Sequence, residues 1–336
     1  MVANNKNKTH MAIYSDVIYS LSLKSIIKEL FRKFLKITVY YHMYYRRKIV
    51  LSLIQLLDNE LNKINLQKLL FLYSQRKKDA EYDFIPYKFG CYSYSLKADL
   101  NTMVKKGLVS ETENSYTRED KVDYLKSLKS ADRGLLEETV KTYGHMSQKA
   151  LTTHTYLNFP FYAINSTIAG NLLPDKYLNK IAEAKPRDTE SVLFTIGYEG
   201  ISLEQYLVKL VKNNVKLLID VRKNPLSMKF GFSKSLLMKY CNSLDIEYVH
   251  YPEVGIDSSQ RKNLKEQVDY DTLFDAYKAT TLKEEIAGQE KIIANIMDKK
   301  RVALTCFEAE HCQCHRSHLA ESIAQFPDFK PEIVHL

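Results

Sequence analysis

The densest chemistry in the chain lies in 301-RVALTCFEAEHCQCHRSHLAESI-323. It holds Cys306, Cys312 and Cys314, three histidines (His311, His315, His318), Glu308, Glu310 and Arg316. Thiolates and imidazoles bind metals, carboxylates and imidazoles move protons, and a guanidinium grips carboxylate or phosphate oxygens in pairs. Alternation along 302–308 puts Cys306 and Glu308 on one face of a strand. Cys314, His315 and Arg316 follow at the start of a helix, where unpaired N–H groups favour anions and thiolates. A C-x-C-H run without a distant second pair is poor spacing for a structural zinc site. Phosphatase-type C-x5-R spacing fails as well, because it leads from Cys306 to Cys312. The reading is therefore an acid/base and anion site of Glu308, Cys314, His315 and Arg316 with no cofactor. Zinc held by Cys306, Cys312, Cys314 and His315 is the alternative. Burial as plain helix-start residues competes for Cys314 and His315.

Three other runs end in comparable residues. The run 192-VLFTIGYEG-200 ends in Gly197, Tyr198 and Glu199, and 215-VKLLIDVR-222 ends in Asp220 and Arg222. The latter leads into 224-NPLSMKFGFSK-234, with Ser227, Lys229 and Lys234. The run 246-IEYVHYP-252 precedes Glu253 and Gly255. Amphipathic helical patterns over 202–214 (Ser202 as N-cap), 233–245, 272–300 and 315–325 separate the four strands. The alternation predicts an α/β domain over 191–336 with a largely parallel, Rossmann-like layered sheet. In such a sheet the strand C-termini line one crevice. There Arg222, Lys234 and Arg316 would hold anionic oxygens, with Ser227 beside them. Asp220, Glu308 or His315 would move protons, and Cys314 is a further catalytic candidate. Tyr198 joins the ligand-binding set, and Gly197 would let the backbone approach a ligand. Asp220 and Arg222 point the same way and can also pair with each other. GYEG is not G-x-G-x-x-G, so no dinucleotide cofactor is expected.

The remainder divides in three. Residues 1–45 form a basic amphipathic extension, and Met43 is an alternative start. Residues 46–170 read as a mainly helical domain. Helical patterns cover 46–59 and 63–77, the second with Asn65 as N-cap and Leu66, Leu69, Leu70 and Tyr73 on one face. A turn at Gly90, a helix ending at Gly107, and a loop or wing over 111–123 suggest a helix-turn-helix or winged-helix layout. Residues 171–190 form a polar linker with Pro186.

The net charge of +9 is local. Residues 1–50 carry 10 Lys and Arg against 2 acids, whereas residues 191–336 carry 19 against 20. Nucleic-acid binding therefore has to rest on local patches. Five unevenly spaced cysteines argue against a disulfide framework and for a reducing cytoplasm. The first apolar run is broken by charges, which argues against a signal peptide. No run has the roughly 18 apolar residues of a membrane span.

Two resemblances add to this reading. TIGYEG, LIDVRKNPLSMKFGFSK, YVHYPEVG and ALTCFEAEHCQCHRSHLAE, in that order, resemble an uncharacterised bacterial family, domain of unknown function 488. By position this points to Gly197, Tyr198, Asp220, Arg222, Pro225, Ser227, His250, Gly255, Cys306, Glu308, Cys314, His315 and Arg316. Val254 replaces the usual Leu, and His311 and Cys312 are additions. The resemblance implies a fold and a site but no reaction. LQKLLFL and FIPYKFGCYSYSLKADLNTMVKKGLV are similar to Panacea antitoxin-type domains, with Cys91 where that pattern has Pro. That similarity implies a DNA- or partner-binding module. The expectation is a cytoplasmic protein whose α/β domain binds or processes a phosphorylated ligand, a nucleotide or nucleic acid. Its N-terminal domain would bind DNA or a protein, with a defence or stress role by analogy. The alternative is a non-catalytic, ligand-sensing DNA-binding regulator.

Overall fold

The computed structural model describes residues 43–336 except 262, 263, 265 and 328. The extension expected over 1–45 thus falls, up to residue 42, outside the described residues. The N-terminal region runs α1 (Tyr45–Gln55), β1 (Glu60–Asn62), α2 (Lys63–Ser74), β2 (Ile85–Tyr87), β3 (Gly90–Tyr92), α3 (Tyr94–Lys105), β4 (Val109–Glu111) and β5 (Ser115–Arg118). Helices α4 (Ser130–Tyr143) and α5 (Gln148–Asn158) complete its core. β2 and β3 form a hairpin, and the other three strands form an antiparallel sheet in the order β1-β5-β4.

Helix α2 is the hub of this region. It packs against α4, α5 and β3, so it buries not one stripe but nearly its whole length from Leu66 to Ser74. Its cap is Asn62, whose side chain accepts from the N–H groups of Ile64 and Asn65. The cap expected at Asn65 thus lies three residues earlier. The stretch expected over 111–123 as a loop or wing holds the turn and second strand of a β4–β5 hairpin that starts at Val109. The polar stretch 171–190 carries a helix of its own, following the single turn α6 (Ala169–Leu172): α7 (Asp175–Ala184).

The C-terminal region is an α/β unit of five parallel strands. Its elements are β6 (Val192–Gly197), α8 (Leu203–Lys212), β7 (Leu217–Asp220), α9 (Lys234–Asn242), β8 (Glu247–His250), α10 (Gln267–Ala279), α11 (Thr281–Glu284), α12 (Ile286–Lys299), β9 (Arg301–Cys306), α13 (His315–Ala324) and β10 (Glu332–His335). The strand order is β10-β6-β9-β7-β8. The inner strands are continuous apolar runs because both faces are covered. One face packs against α8 and α9 through Leu207, Leu210 and Leu237, the other against α10, α12 and α13 through Phe274, Ile292 and Leu319. Ser202 caps α8 as expected, and the structure adds a capping box in which the Gln205 side chain accepts from the Ser202 N–H. β10 is a fifth strand beyond the four read from sequence.

The helix expected over 272–300 is broken twice. Thr280 leaves helical geometry, and Glu285 separates α11 from α12. The fully buried Gln289 stabilises the break, because its amide donates to the Leu282 carbonyl at 2.6 Å. The two regions touch directly. Ile85 of β2 belongs to the core shared by α8 and β6, and Tyr94 of α3 packs on Tyr240 of α9 with ring centroids 4.2 Å apart. No helix among the described residues is long and apolar enough to cross a membrane.

Candidate functional site

The inner strands β6, β9 and β7 finish at one level. Gly197 stands opposite Cys306, and Asp220 opposite Thr305. The chain therefore delivers three sets of polar residues to one edge of the sheet. A crevice of about 300 Å³ opens there, lined by Tyr198, Arg222, Lys223, Ser227, Cys306 and His315, with Leu226, Met228, Ile256 and Phe307 as its apolar part.

Asp220 and Arg222 pair inside the protein, the competing arrangement that their spacing allows. The Arg222 guanidinium donates to both Asp220 carboxylate oxygens, at 2.8 and 2.5 Å, and to the Tyr198 hydroxyl and the Phe232 carbonyl. Burial opposes the guanidinium charge, yet the Asp220 hydrogen bonds and charge outweigh it and raise the Arg222 pKa. Tyr248 donates to the same carboxylate at 2.6 Å. Burial, then the Asp220 charge, pushes that phenol well above its usual pKa. Tyr198 stacks on Phe232 at 4.2 Å. Arg222 is thus a fixed cation in the crevice wall, held by a carboxylate beneath it.

Gly197 has a definite reason to be glycine. A Cβ there would lie 1.8 Å from the Glu308 carbonyl oxygen. What approaches Gly197 is thus the loop after β9, in the role that the sequence reading gave to a ligand. Gly255 is similar: its Cβ would stand 2.5 Å from the Lys223 nitrogen.

Arg316 is buried, and its guanidinium donates to the carbonyls of Glu308 and Ala309 at 2.6 and 3.0 Å. It ties down the loop between β9 and α13. Lys234 is exposed and lies 3.0 Å from His250 Nδ1, while His250 Nε2 donates to the Arg222 carbonyl at 2.8 Å. Neither Arg316 nor Lys234 lines the crevice. The Ser227 hydroxyl accepts from the Lys229 N–H at 3.2 Å.

The crowd between 306 and 318 separates in space. Cys306 donates to Glu308 Oε2 at 3.3 Å, and its sulfur lies 3.6 Å from His315 Nδ1. Cys314, the cap residue of α13, lies 4.0 Å from the same nitrogen. The other imidazole nitrogen, Nε2, is 3.0 Å from the Val221 carbonyl. Burial drives the Cys314 thiol pKa well above its usual value. Cys312 is exposed and lines a different cleft with His311 and His318. His311 stacks on His335.

Lys223, Ile256 and Phe307 in the lining, and Tyr248 on Asp220, lie outside the set expected from the sequence. Lys223 had a signal, since it directly follows Arg222 and precedes the loop already singled out. Tyr248 shares a strand face with His250, which could have marked it. Nothing in the spacing of Ile256 and Phe307 marks them.

Residues 202–323 match the model of a family described as Domain of unknown function DUF488. This supports the resemblance carried by the C-terminal motifs. No curated protein matches the chain.

Proposed function

We propose that the crevice binds a small phosphorylated ligand with an apolar or flat portion, of the kind a nucleotide offers. One observation carries this reading: the lining joins Arg222 and Lys223 to an apolar wall, with no carboxylate among the described lining residues. An anion would meet Arg222 and Lys223, and a base would lie against Leu226, Ile256 and Phe307. Such a ligand would meet Cys306 and His315 at the floor. Glu308 is the group this reading assigns to proton transfer.

The test is a thermal-shift and calorimetric screen of nucleoside mono-, di- and triphosphates on the full chain. One class of them should raise the melting temperature. Because Lys223 is exposed, Lys223→Glu should fold normally yet weaken binding about tenfold, roughly 1.4 kcal/mol. A flat screen would end the reading, and so would a Lys223→Glu variant with unchanged affinity.

A second reading, ligand-controlled binding of DNA, is favoured by one contact. The N-terminal order of helices, hairpin and β1-β5-β4 sheet suits a winged-helix module, in which α3 would be the groove-reading helix. The first turn of α3 is hydrogen-bonded to Glu204 of α8. Helix α8 in turn begins just after the Tyr198 strand end, so crevice and helix are joined through one element. Duplex binding should then weaken steeply as salt rises and change when a nucleotide is added. Salt-independent binding would rule out phosphate contacts.

A further inference from the structure

We propose that Cys306, Cys314 and His315 form a binding centre for a zinc-type divalent ion on the floor of the crevice. Their ligand atoms all lie within 4.8 Å of one another, and all three residues are buried. With metal–sulfur distances of about 2.3 Å and metal–nitrogen of about 2.0–2.1 Å, ligands around a tetrahedral ion stand roughly 3.5–3.8 Å apart. The sulfur-to-Nδ1 distances of 3.6 and 4.0 Å are close to that spacing before any ion draws the groups together.

The imidazole is also oriented for the task. Donation from Nε2 to the Val221 carbonyl fixes the ring and turns Nδ1 toward the two sulfurs. A metal-bound histidine characteristically has such a carbonyl behind it. Two thiolates and an imidazole select a borderline-soft ion over magnesium or calcium.

The spacing rule that counted against zinc describes closed, four-ligand sites. A site with three protein ligands and one open position obeys no such rule. Here the ligands come from the end of β9 and the start of α13, which adjoin only because the intervening loop folds back over Gly197. Cys306 and His315 face the crevice, so the fourth position opens toward it. Glu308, whose Oε2 accepts from the Cys306 thiol at 3.3 Å, would give up that hydrogen bond when the thiolate binds an ion. The centre deepens the nucleotide reading only in what occupies the fourth position, and metal binding itself is independent of it.

The experiment uses the full chain, purified without chelators, with metal content measured by mass spectrometry and the ion then exchanged for cobalt. About one zinc ion per chain is expected, and the cobalt form should show visible bands of a tetrahedral, thiolate-bound ion. Loss of a supporting group behind a ligand costs roughly 10–100-fold in affinity, so Cys314→Ser and His315→Ala should each cost about 100-fold or more. Cys312→Ser, at an exposed cysteine, should bind as the parent does. Substoichiometric metal after reconstitution, or a cobalt spectrum without thiolate bands, would overturn the centre. So would equal loss on Cys312→Ser. The cobalt measurement needs only the unsubstituted chain, so it holds even if buried-site variants unfold. Since no nucleotide is present, a failed nucleotide screen leaves this result standing.

Discussion

Two carboxylates with no solvent exposure are held in opposite ways. Asp220, in the α/β unit, is clasped by Arg222 and Tyr248. Glu204, between the two regions, accepts from the Ser95 N–H at 2.7 Å and from the hydroxyls of Ser93 and Ser95. None of those partners is charged. The joint uses the N-terminus of α3 as its positive end, a weaker and screened substitute for a cation. Burial raises the Glu204 pKa even though these hydrogen bonds oppose it. The crevice is therefore built on a buried ion pair, whereas the joint holds a buried carboxylate among neutral partners.

The largest effect should come from Asp220→Ala. It leaves Arg222 buried without its counter-ion and should cost about 3–5 kcal/mol in denaturant unfolding. A loss below 1 kcal/mol would mean that the pair contributes no more than a surface bridge. Next is Glu204→Ala, which strands the Ser95 N–H and two hydroxyls and should cost about 1–3 kcal/mol. If it cost as much as Asp220→Ala, the contrast between the two sites would collapse.

The smallest effect concerns pH. The folded pKa of Glu204 lies above its ordinary 4.5, so folding favours the protonated form. Its contribution is complete below the unfolded pKa and is lost as pH rises through the raised folded value. Glu204→Gln is neutral throughout. The variant should gain on the parent as pH rises from below the ordinary 4.5 through the raised folded value. A difference that stays flat with pH would put the raised pKa in doubt.

The α/β unit was legible in the sequence because its signals are local. Apolar runs broken by Gly197, Asp220 and Cys306 mark strand ends, and Ser202 marks a helix start. β10 was harder: EIVH is short and sits at an edge, where one flank goes unpaired and the apolar pattern weakens. The breaks at Thr280 and Glu285 were hidden because neither position is a proline or glycine, and their stabiliser Gln289, four residues past Glu285, reads as an ordinary helical residue. At the site, the sequence brought the right residue types to one strand edge but could not assign partners. Arg316 resembles an anion clamp by its place at a helix start. Only the fold of the preceding loop turns its donors onto carbonyls. The same loop divides Cys312 from Cys314, two residues apart: the first is exposed in a separate cleft and the second is buried.

The joint has an optical consequence. The chain has 24 tyrosines and no tryptophan. Four tyrosines meet where the regions touch: Tyr87, Tyr92 and Tyr94, with Tyr240 from the opposite side. Rings this close couple electronically, and no indole drains their excitation. Near-ultraviolet circular dichroism and tyrosine emission should therefore act as a built-in gauge of whether the two regions stay docked.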